Sequence, residues 1–222
     1  MSAATVANNK DAFVSSANTS YPSYRPMLSI TYTPQSNDYI PHLRWPLGTI
    51  NTGRNIGGGY DYNVPWNVPG TACPDGTWKQ HVGRDYQAAA GTSVYAAEDG
   101  YMKQNQDQRP SGWAYNLVIE HTSPTGAKYT TVYWHINPSS DVISNWNGGF
   151  IAKGAFIGNV ASIPTGAHLH FGKRNTPYNV VASGVGALPK TSTPCYTPSG
   201  ALLPQFPSNF VNPENSSEII FN

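Results

Sequence analysis

His168-Leu169-His170-Phe171 alternates histidine with apolar residues, a pattern typical of a β-strand with one buried face. Successive side chains of a strand point to opposite faces, so His168 and His170 share one face, about 7 Å apart at Cα. Leu169 and Phe171 then enter the core. Two imidazoles side by side on a sheet favour a metal site in which one binds the ion and the other lies beside it. The other ligands must come from elsewhere in the chain.

The composition of the 222 residues is that of a loop-rich β protein. Only 11% of the residues are charged, whereas Tyr, Trp, Gly, Pro, Asn, Ser and Thr are plentiful. The net charge of +1 gives no electrostatic reason to expect nucleic acid or an anionic membrane surface as a partner. The length suits one large domain with extensions.

An extracellular setting fits this composition, and we expect a secreted, periplasmic or cell-envelope protein. No apolar run approaches the ~20 residues of a membrane-spanning helix. The N-terminus also lacks the apolar core of a secretory signal, so we expect that such a segment was removed before residue 1.

The two cysteines, Cys73 and Cys195, are too few for a disulfide scaffold and too far apart in sequence for a CxxC metal motif. In a secreted protein we expect them to form one disulfide, with two buried thiols as the alternative. A disulfide would tie the C-terminal tail to the loop that precedes His81.

The chain divides into three segments by composition. Residues 1–38 are rich in Ser, Thr, Asn, Tyr and Pro, with one strand predicted at Met27 to Thr33, and are interpreted as an extension packed on the domain. Residues 39–175 alternate strand-like runs with turns and form the predicted domain. Residues 176–222 lack periodicity and are interpreted as a loop-rich tail that wraps the domain.

Two β-branched and aromatic runs, Tyr115 to His121 and Lys128 to His135, are separated by Pro124-Thr125-Gly126 and predict a hairpin. Gly91 to Met102 predicts a strand, a tight turn at Asp99-Gly100 and a returning strand.

Histidines are the main candidates for chemistry. A catalytic zinc site needs three protein ligands from His, Asp, Glu or Cys, and His81, Asp85 and one of the pair His168 and His170 provide that number. On a straight strand, His81 and Asp85 would lie about 13 Å apart, so the chain must bend near Gly83, where glycine allows it.

Residues 43–173 resemble the lysostaphin-type zinc endopeptidases of bacterial cell walls, also called the LytM type. Several blocks occur in the order that the family shows: His81-Val-Gly-Arg-Asp85, Gly91-Thr-Ser-Val-Tyr-Ala-Ala-Glu-Asp-Gly100, Asn116-Leu-Val-Ile-Glu-His121, Tyr133-Trp-His135, Lys153-Gly-Ala-Phe-Ile-Gly158 and Thr165-Gly-Ala-His-Leu-His-Phe171. The resemblance implies a mostly β fold, in which an antiparallel sheet forms the floor of a groove with long loops as its walls.

The resemblance also implies the roles of five residues. His81, Asp85 and His170 fall on the zinc ligands, for one Zn²⁺ per chain, and His135 and His168 fall on the two further catalytic histidines. A histidine beside the attacking water can take its proton and pass it to the leaving amine, and a second, if protonated, can stabilise the oxyanion. Which of His135 and His168 does which stays open.

Two features depart from the family. Gly172 stands where relatives commonly carry an acidic residue, and the loop from 48 to 80 cannot be aligned. The tyrosine that grips the substrate in the family is therefore not assigned, with Tyr60 and Tyr62 as candidates. His42 and His121 match no functional position, and we expect structural roles for both.

The implied function is hydrolysis of peptide bonds in peptidoglycan stems or cross-bridges, by a monomer whose partners are peptidoglycan peptides. One alternative is a catalytically silent wall-binding or regulatory protein on the same fold. Such relatives usually lack one or more of the five residues, all of which are present here. Another alternative is a zinc carboxypeptidase that trims D-alanine ends.

Overall fold

The computed structural model describes residues 39–48, 56–64, 79–180, 183–189, 195–196 and 200–222. The predicted N-terminal extension, with its strand at Met27 to Thr33, lies outside these residues, as does Cys73. The boundaries of the predicted domain stay a prediction.

Short strands make up most of the regular structure. In chain order they are β1 (His42–Leu43), β2 (Ile56–Gly58), β3 (Asn63–Val64), β4 (Lys79–His81), β5 (Arg84–Gln87), β6 (Ser93–Tyr95), β7 (Gly100–Asp107), β8 (Tyr115–Thr122), β9 (Lys128–Pro138), β10 (Phe150–Ile151), β11 (Phe156–Val160), β12 (His168–Arg174), β13 (Ala187–Pro189), β14 (Phe210–Val211) and β15 (Ile220–Phe221).

Within the described ranges two short helices accompany the strands, a 3₁₀ helix at Arg109–Ser111 and α1 at Ser140–Asn145. Ser139 caps α1, because its Oγ accepts a hydrogen bond from the Val142 amide at 3.3 Å. Neither helix in the described part of the chain has the length and apolarity to cross a membrane.

One large sheet organises the fold, with strand order β10-β7-β8-β9-β12-β5-β2, and every pairing along this path is antiparallel. β11 pairs with β6 and β9, and β14 pairs with β12. A second antiparallel sheet has the order β13-β4-β3, and β1 pairs in parallel with β15. This architecture confirms the predicted mostly β, antiparallel fold class, and the hairpin predicted from Tyr115 to His135 is present as β8 and β9.

The turn at Asp99-Gly100 does not join two paired strands as predicted. β6 pairs with β11, whereas β7 pairs with β8 and β10. The connection between them runs through the core, where Ala96 and Ala97 are fully buried. The Ala97 amide donates to the Tyr133 hydroxyl at 2.8 Å, and the Ala96 amide donates to the Ala155 carbonyl at 2.9 Å, so these groups bond to other parts of the core and not to a hairpin partner.

The core covers one face of the large sheet. Leu169 and Phe171 of β12 are 0% exposed and enter it as the alternation predicted. Their neighbours His168 and His170 lie on the other face, which forms the floor of a groove. At Gly172 an added Cβ would lie 2.8 Å from Cγ1 of Val132, so close packing requires glycine at this position.

The C-terminal segment contributes strands to the domain. β14 extends the ladder of β12, and β15 pairs with β1. Cys195 is fully buried and disulfide-bonded. Because Cys73 lies outside the described residues, its pairing with Cys195 stays a prediction.

Candidate metal centre and catalytic groove

His81, Asp85 and His170 converge at the floor of the groove, and their potential ligand atoms all lie within 4.8 Å of one another. Nε2 of His81 lies 2.8 Å from Nδ1 of His170, and each of these atoms lies 3.1 Å from Oδ1 of Asp85. The structure therefore brings together the three residues predicted as metal ligands.

The chain bends at Gly83, as predicted, and this bend allows His81 and Asp85 to meet. His81 ends β4 of the small sheet, whereas Asp85 lies on β5 of the large sheet. An added Cβ at Gly83 would lie 2.6 Å from the Phe171 carbonyl and 2.7 Å from Nε2 of His170. Only glycine lets the chain pass this close to β12.

The donor atoms of the cluster suit a cation. Nδ1 of His81 donates to the Gly59 carbonyl at 2.9 Å, so Nε2 of the neutral ring carries a lone pair. That lone pair and the Asp85 carboxylate both face Nδ1 of His170. Within the described part of the chain, Nε2 of His170 is buried without a hydrogen-bond partner. Two imidazole nitrogens and a carboxylate oxygen form a typical zinc ligand set, so these residues fit the metal that the family implies.

The charges of the cluster depend on its burial. Burial, and then the like charge of His81, lower the pKa of His170 to about 4. Burial also disfavours the charged forms of His81 and Asp85. The hydrogen bonds from His170 and His81 to Asp85 outweigh burial, so the pKa of Asp85 is well below its ordinary value. The hydrogen bond to Asp85 also outweighs burial at His81, so the pKa of His81 is raised. Asp85 is thus a carboxylate over the whole neutral range.

His135 lies in a β-bulge of β9. In the ladder with β8, Trp134 lies opposite Asn116 and Ile136 lies opposite Tyr115, so His135 is one extra residue. Its φ of 66° falls in the left-handed region. As a result Trp134 and His135 both line the groove, while Ile136 returns to the core at 0% exposed.

His135 and His168 lie side by side, with ring centroids 4.6 Å apart. Nδ1 of His135 donates to the Trp113 carbonyl at 3.1 Å, and Nδ1 of His168 donates to the Gly166 carbonyl at 2.8 Å. Each neutral ring therefore keeps Nε2 as a proton acceptor. Burial, and then the like charges of His168 and His170, lower the pKa of His135 to about 3, so this ring is neutral near pH 7.

These five side chains share a groove of about 770 Å³. Small uncharged residues supply much of its lining, namely Gly58, Ala88, Ala89, Thr165, Gly166, Ala167, Gly186 and Ala187. Larger side chains complete it, namely Tyr62, Val64, Gln87, Trp113 and Trp134. The two tryptophans were not predicted as site residues. For Trp134 the reason is that regular strand alternation places it on the face opposite to His135.

Other predicted residues lie away from the cluster. His121 is fully buried, donates from Nδ1 to the Asp99 carbonyl at 2.8 Å and stacks on Tyr129. His42 is exposed on β1. Tyr62 lines the groove and is 54% exposed, whereas Tyr60 donates its hydroxyl to the Phe210 carbonyl at 2.8 Å.

Comparison with known proteins shows which family this region is similar to. Residues 79–181 match the model of Peptidase family M23. DD-carboxypeptidase/endopeptidase Mpg of Neisseria meningitidis serogroup B is 32% identical over 108 residues, which are 48% of this chain and 23% of the relative. The matched segment thus spans less than a quarter of that relative.

Solved structures are also similar. Helicobacter pylori Csd3 is 26% identical, with 64% of this chain and 34% of that chain covered and a TM-score of 0.41. A zinc containing peptidase from Vibrio cholerae is 25% identical, with 63% and 39% covered and a TM-score of 0.43. The match to the family model spans all five predicted site residues, so residues 79–181 are similar to Peptidase family M23, and the predicted resemblance to the lysostaphin-type peptidases is confirmed.

Proposed function

We propose that this protein is a zinc-dependent endopeptidase that hydrolyses peptide bonds of bacterial peptidoglycan. One observation carries the proposal: a His/Asp/His cluster with its ligand atoms within 4.8 Å shares a groove with two more histidines, each bonded through Nδ1 to a backbone carbonyl. The match to Peptidase family M23 and the relative named DD-carboxypeptidase/endopeptidase support the same function.

His81, Asp85 and His170 would hold the metal in this account. When bound there, zinc supplies a Lewis acid that lowers the pKa of water towards ~7 and polarises a carbonyl group. The protein holds its ligands in place beforehand, since His81 is tied to the Gly59 carbonyl and Asp85 and His170 are on paired strands. Such preorganisation reduces the reorganisation needed when the metal binds.

His135 and His168 would move the protons. Nε2 of either ring can accept the proton of the attacking water, because Nδ1 of each ring already donates to a backbone carbonyl. After it is protonated, that imidazolium can donate to the leaving amine, and the second histidine can donate to the oxyanion if it is protonated. The 4.6 Å between the ring centroids lets both rings reach one scissile bond.

The groove fits a peptide with small side chains. Its small uncharged lining leaves room for a main chain that carries glycine or alanine, which stem peptides and cross-bridges contain. Tyr62 is the better placed of the two candidate tyrosines to contact such a chain, since it lines the groove and is 54% exposed. The hydroxyl of Tyr60 is engaged with Phe210.

Digestion of purified peptidoglycan, followed by mass analysis of the muropeptides, tests the proposal. Cleavage of internal stem or cross-bridge bonds is expected. Loss of only a terminal residue would identify a carboxypeptidase, and an unchanged digest would identify a binding or regulatory protein. The variant Asp85→Ala, which removes a proposed metal ligand, is the inactive control, and His42→Ala, changed at an exposed histidine of β1, is the active one.

A further inference from the structure

Trp134 contacts one of the proposed metal ligands and one of the two proposed proton-transfer histidines. Its indole stacks on the imidazole of His135, with ring centroids 5.4 Å apart and planes 9° from parallel. It also meets the ring of His170 at 5.9 Å and 89°. The indole therefore contacts both a proposed metal ligand and a proposed proton acceptor.

The stack depends on the bulge. In a regular strand the side chains of Trp134 and His135 would point to opposite faces. The left-handed φ of 66° at His135 places both on the groove side. Two hydrogen bonds hold His135 there: its Nδ1 donates to the Trp113 carbonyl at 3.1 Å, and its carbonyl accepts from the Ala161 amide at 2.8 Å.

Other groups pack against the indole and restrict its position. Trp134 is 5% exposed and packs in a small cluster with Val64 and Ala187. A Cβ added at Gly186 would overlap Cζ3 of the indole, so the backbone of this loop lies directly against the ring. The indole has little room to move away from His135.

We propose that Trp134 is a positioning residue that fixes the plane of the His135 imidazole, and so the direction of Nε2. The inference rests on the proposed role of His135 as a proton acceptor. With a flat ring against one face, the imidazole turns little about its χ2 angle, and the Trp113 carbonyl holds the edge of the ring. Loss of this constraint leaves substrate binding intact but misaligns the proton transfer.

Two substitutions of Trp134 in the zinc-loaded protein test the proposal. Trp134→Phe keeps a flat ring, and kcat should stay within about 5-fold of wild type. Trp134→Leu removes the ring, and kcat should fall by about 10- to 100-fold with KM within about 2-fold, since small misplacements of a reacting group cost up to about 10²-fold. Bound zinc should be the same in both variants, as measured by elemental analysis.

A spectroscopic measurement does not depend on activity. In wild type the ring current of the nearly parallel indole, 5.4 Å away between centroids, should shift the ring protons of His135 in ¹H–¹³C NMR spectra. His135→Ala assigns these signals. Trp134→Leu should return them to ordinary positions, and Trp134→Phe should keep most of the shift.

A matched pair of glycine variants reaches the indole without changing it. Gly186→Ala drives a methyl group against the indole and should reproduce the loss of kcat and of the His135 shift. Gly184→Ala, in the same loop, meets only the flexible end of Gln104 and should keep both. This pair also serves if Trp134→Leu does not fold.

The outcomes separate the inference from the proposed function. Wild-type kcat and unchanged His135 signals in Trp134→Leu or Gly186→Ala would overturn the inference while the peptidase stands. A wild-type protein that hydrolyses no peptidoglycan would overturn the proposed function. The NMR shifts would then decide whether Trp134 positions His135.

Discussion

Asp85 and His170 are direct neighbours in the ladder of β5 and β12, with Oδ1 of Asp85 3.1 Å from Nδ1 of His170. His81 reaches the same nitrogen from the small sheet, at 2.8 Å from its Nε2. The pairing of β5 with β12 therefore places two of the proposed ligands side by side, and the bend at Gly83 brings His81 to them. The site is built into the sheets of the fold.

We expect the purified protein to carry about one zinc per chain, because the cluster offers two imidazoles and a carboxylate. Elemental analysis measures the stoichiometry, and chelation should remove both metal and hydrolysis. Zinc binding should weaken below about pH 6, where protons compete for imidazole nitrogens. No stoichiometric transition metal, with hydrolysis undiminished by chelator, would contradict the metal site.

His121 should make the fold sensitive to acid. Burial lowers its folded-state pKa to about 4, below the ordinary value of 6.5. Between these two pH values His121 is protonated in the unfolded chain but not in the folded chain. The contribution of the neutral, buried His121 to stability is therefore lost as pH falls from about 6.5 to 4. From pH 7 to pH 5 the loss is about 2 kcal/mol.

Urea unfolding of wild type, His121→Gln and His42→Gln at both pH values measures this effect. His121→Gln should be less stable than wild type at pH 7, because it disturbs the bonds to Asp99 and Thr131. Its further loss at pH 5 should be smaller than that of wild type by about 2 kcal/mol. His42→Gln should keep the wild-type difference, and equal losses in all three proteins would refute the assignment to His121.

Gly172→Ala should destabilise the fold by about 1–3 kcal/mol, the usual cost of overpacking. The new methyl group would lie 2.8 Å from Cγ1 of Val132 and 3.1 Å from the Val82 carbonyl. Chemical denaturation against wild type and Gly184→Ala measures the change. A Gly172→Ala protein as stable as wild type would show that β12 and its neighbours adjust freely.

Thiol labelling of unfolded, unreduced protein should find no free cysteine, since Cys195 is disulfide-bonded and the sequence holds one other cysteine, Cys73. Reduction should cost roughly 4 to 5 kcal/mol of stability in the chain-entropy model for a loop of this length. Two labelled thiols per chain would contradict the pairing of Cys73 with Cys195.

Local patterns predicted much of the groove floor. Alternation in His168 to Phe171 placed two histidines on one face, and the distance between His81 and Asp85 required the bend at Gly83. The hairpin of β8 and β9 followed from two β-branched runs around a turn. In each case, neighbouring residues determine the local structure.

Long-range packing produced the features that the sequence pattern missed. The bulge at His135 depends on its pairing with β8 and on the Ala161 amide, so the sequence around Trp134 gives no sign of it. β13, in the segment interpreted as a tail without periodicity, pairs with β4 next to His81. A strand of three residues is too short to show an alternating pattern.

The separate roles proposed for the metal ligands and for the two proton-transfer histidines predict two kinds of variant. His81→Ala, Asp85→Ala and His170→Ala each remove a proposed ligand, so zinc and activity should both be lost. His135→Ala and His168→Ala leave the three ligands in place, so zinc should stay while turnover falls by about 10²- to 10⁴-fold. His42→Ala and His121→Ala should change neither bound zinc nor turnover under conditions where they are folded.

The most direct measurement compares bound zinc and turnover in His168→Ala and His170→Ala, which change two residues of one strand on one face. We expect about one zinc per chain and slow hydrolysis for His168→Ala, and neither zinc nor hydrolysis for His170→Ala. If His168→Ala lost its zinc while His170→Ala kept it, the roles of the two histidines would be reversed and the proposed metal site would be wrong.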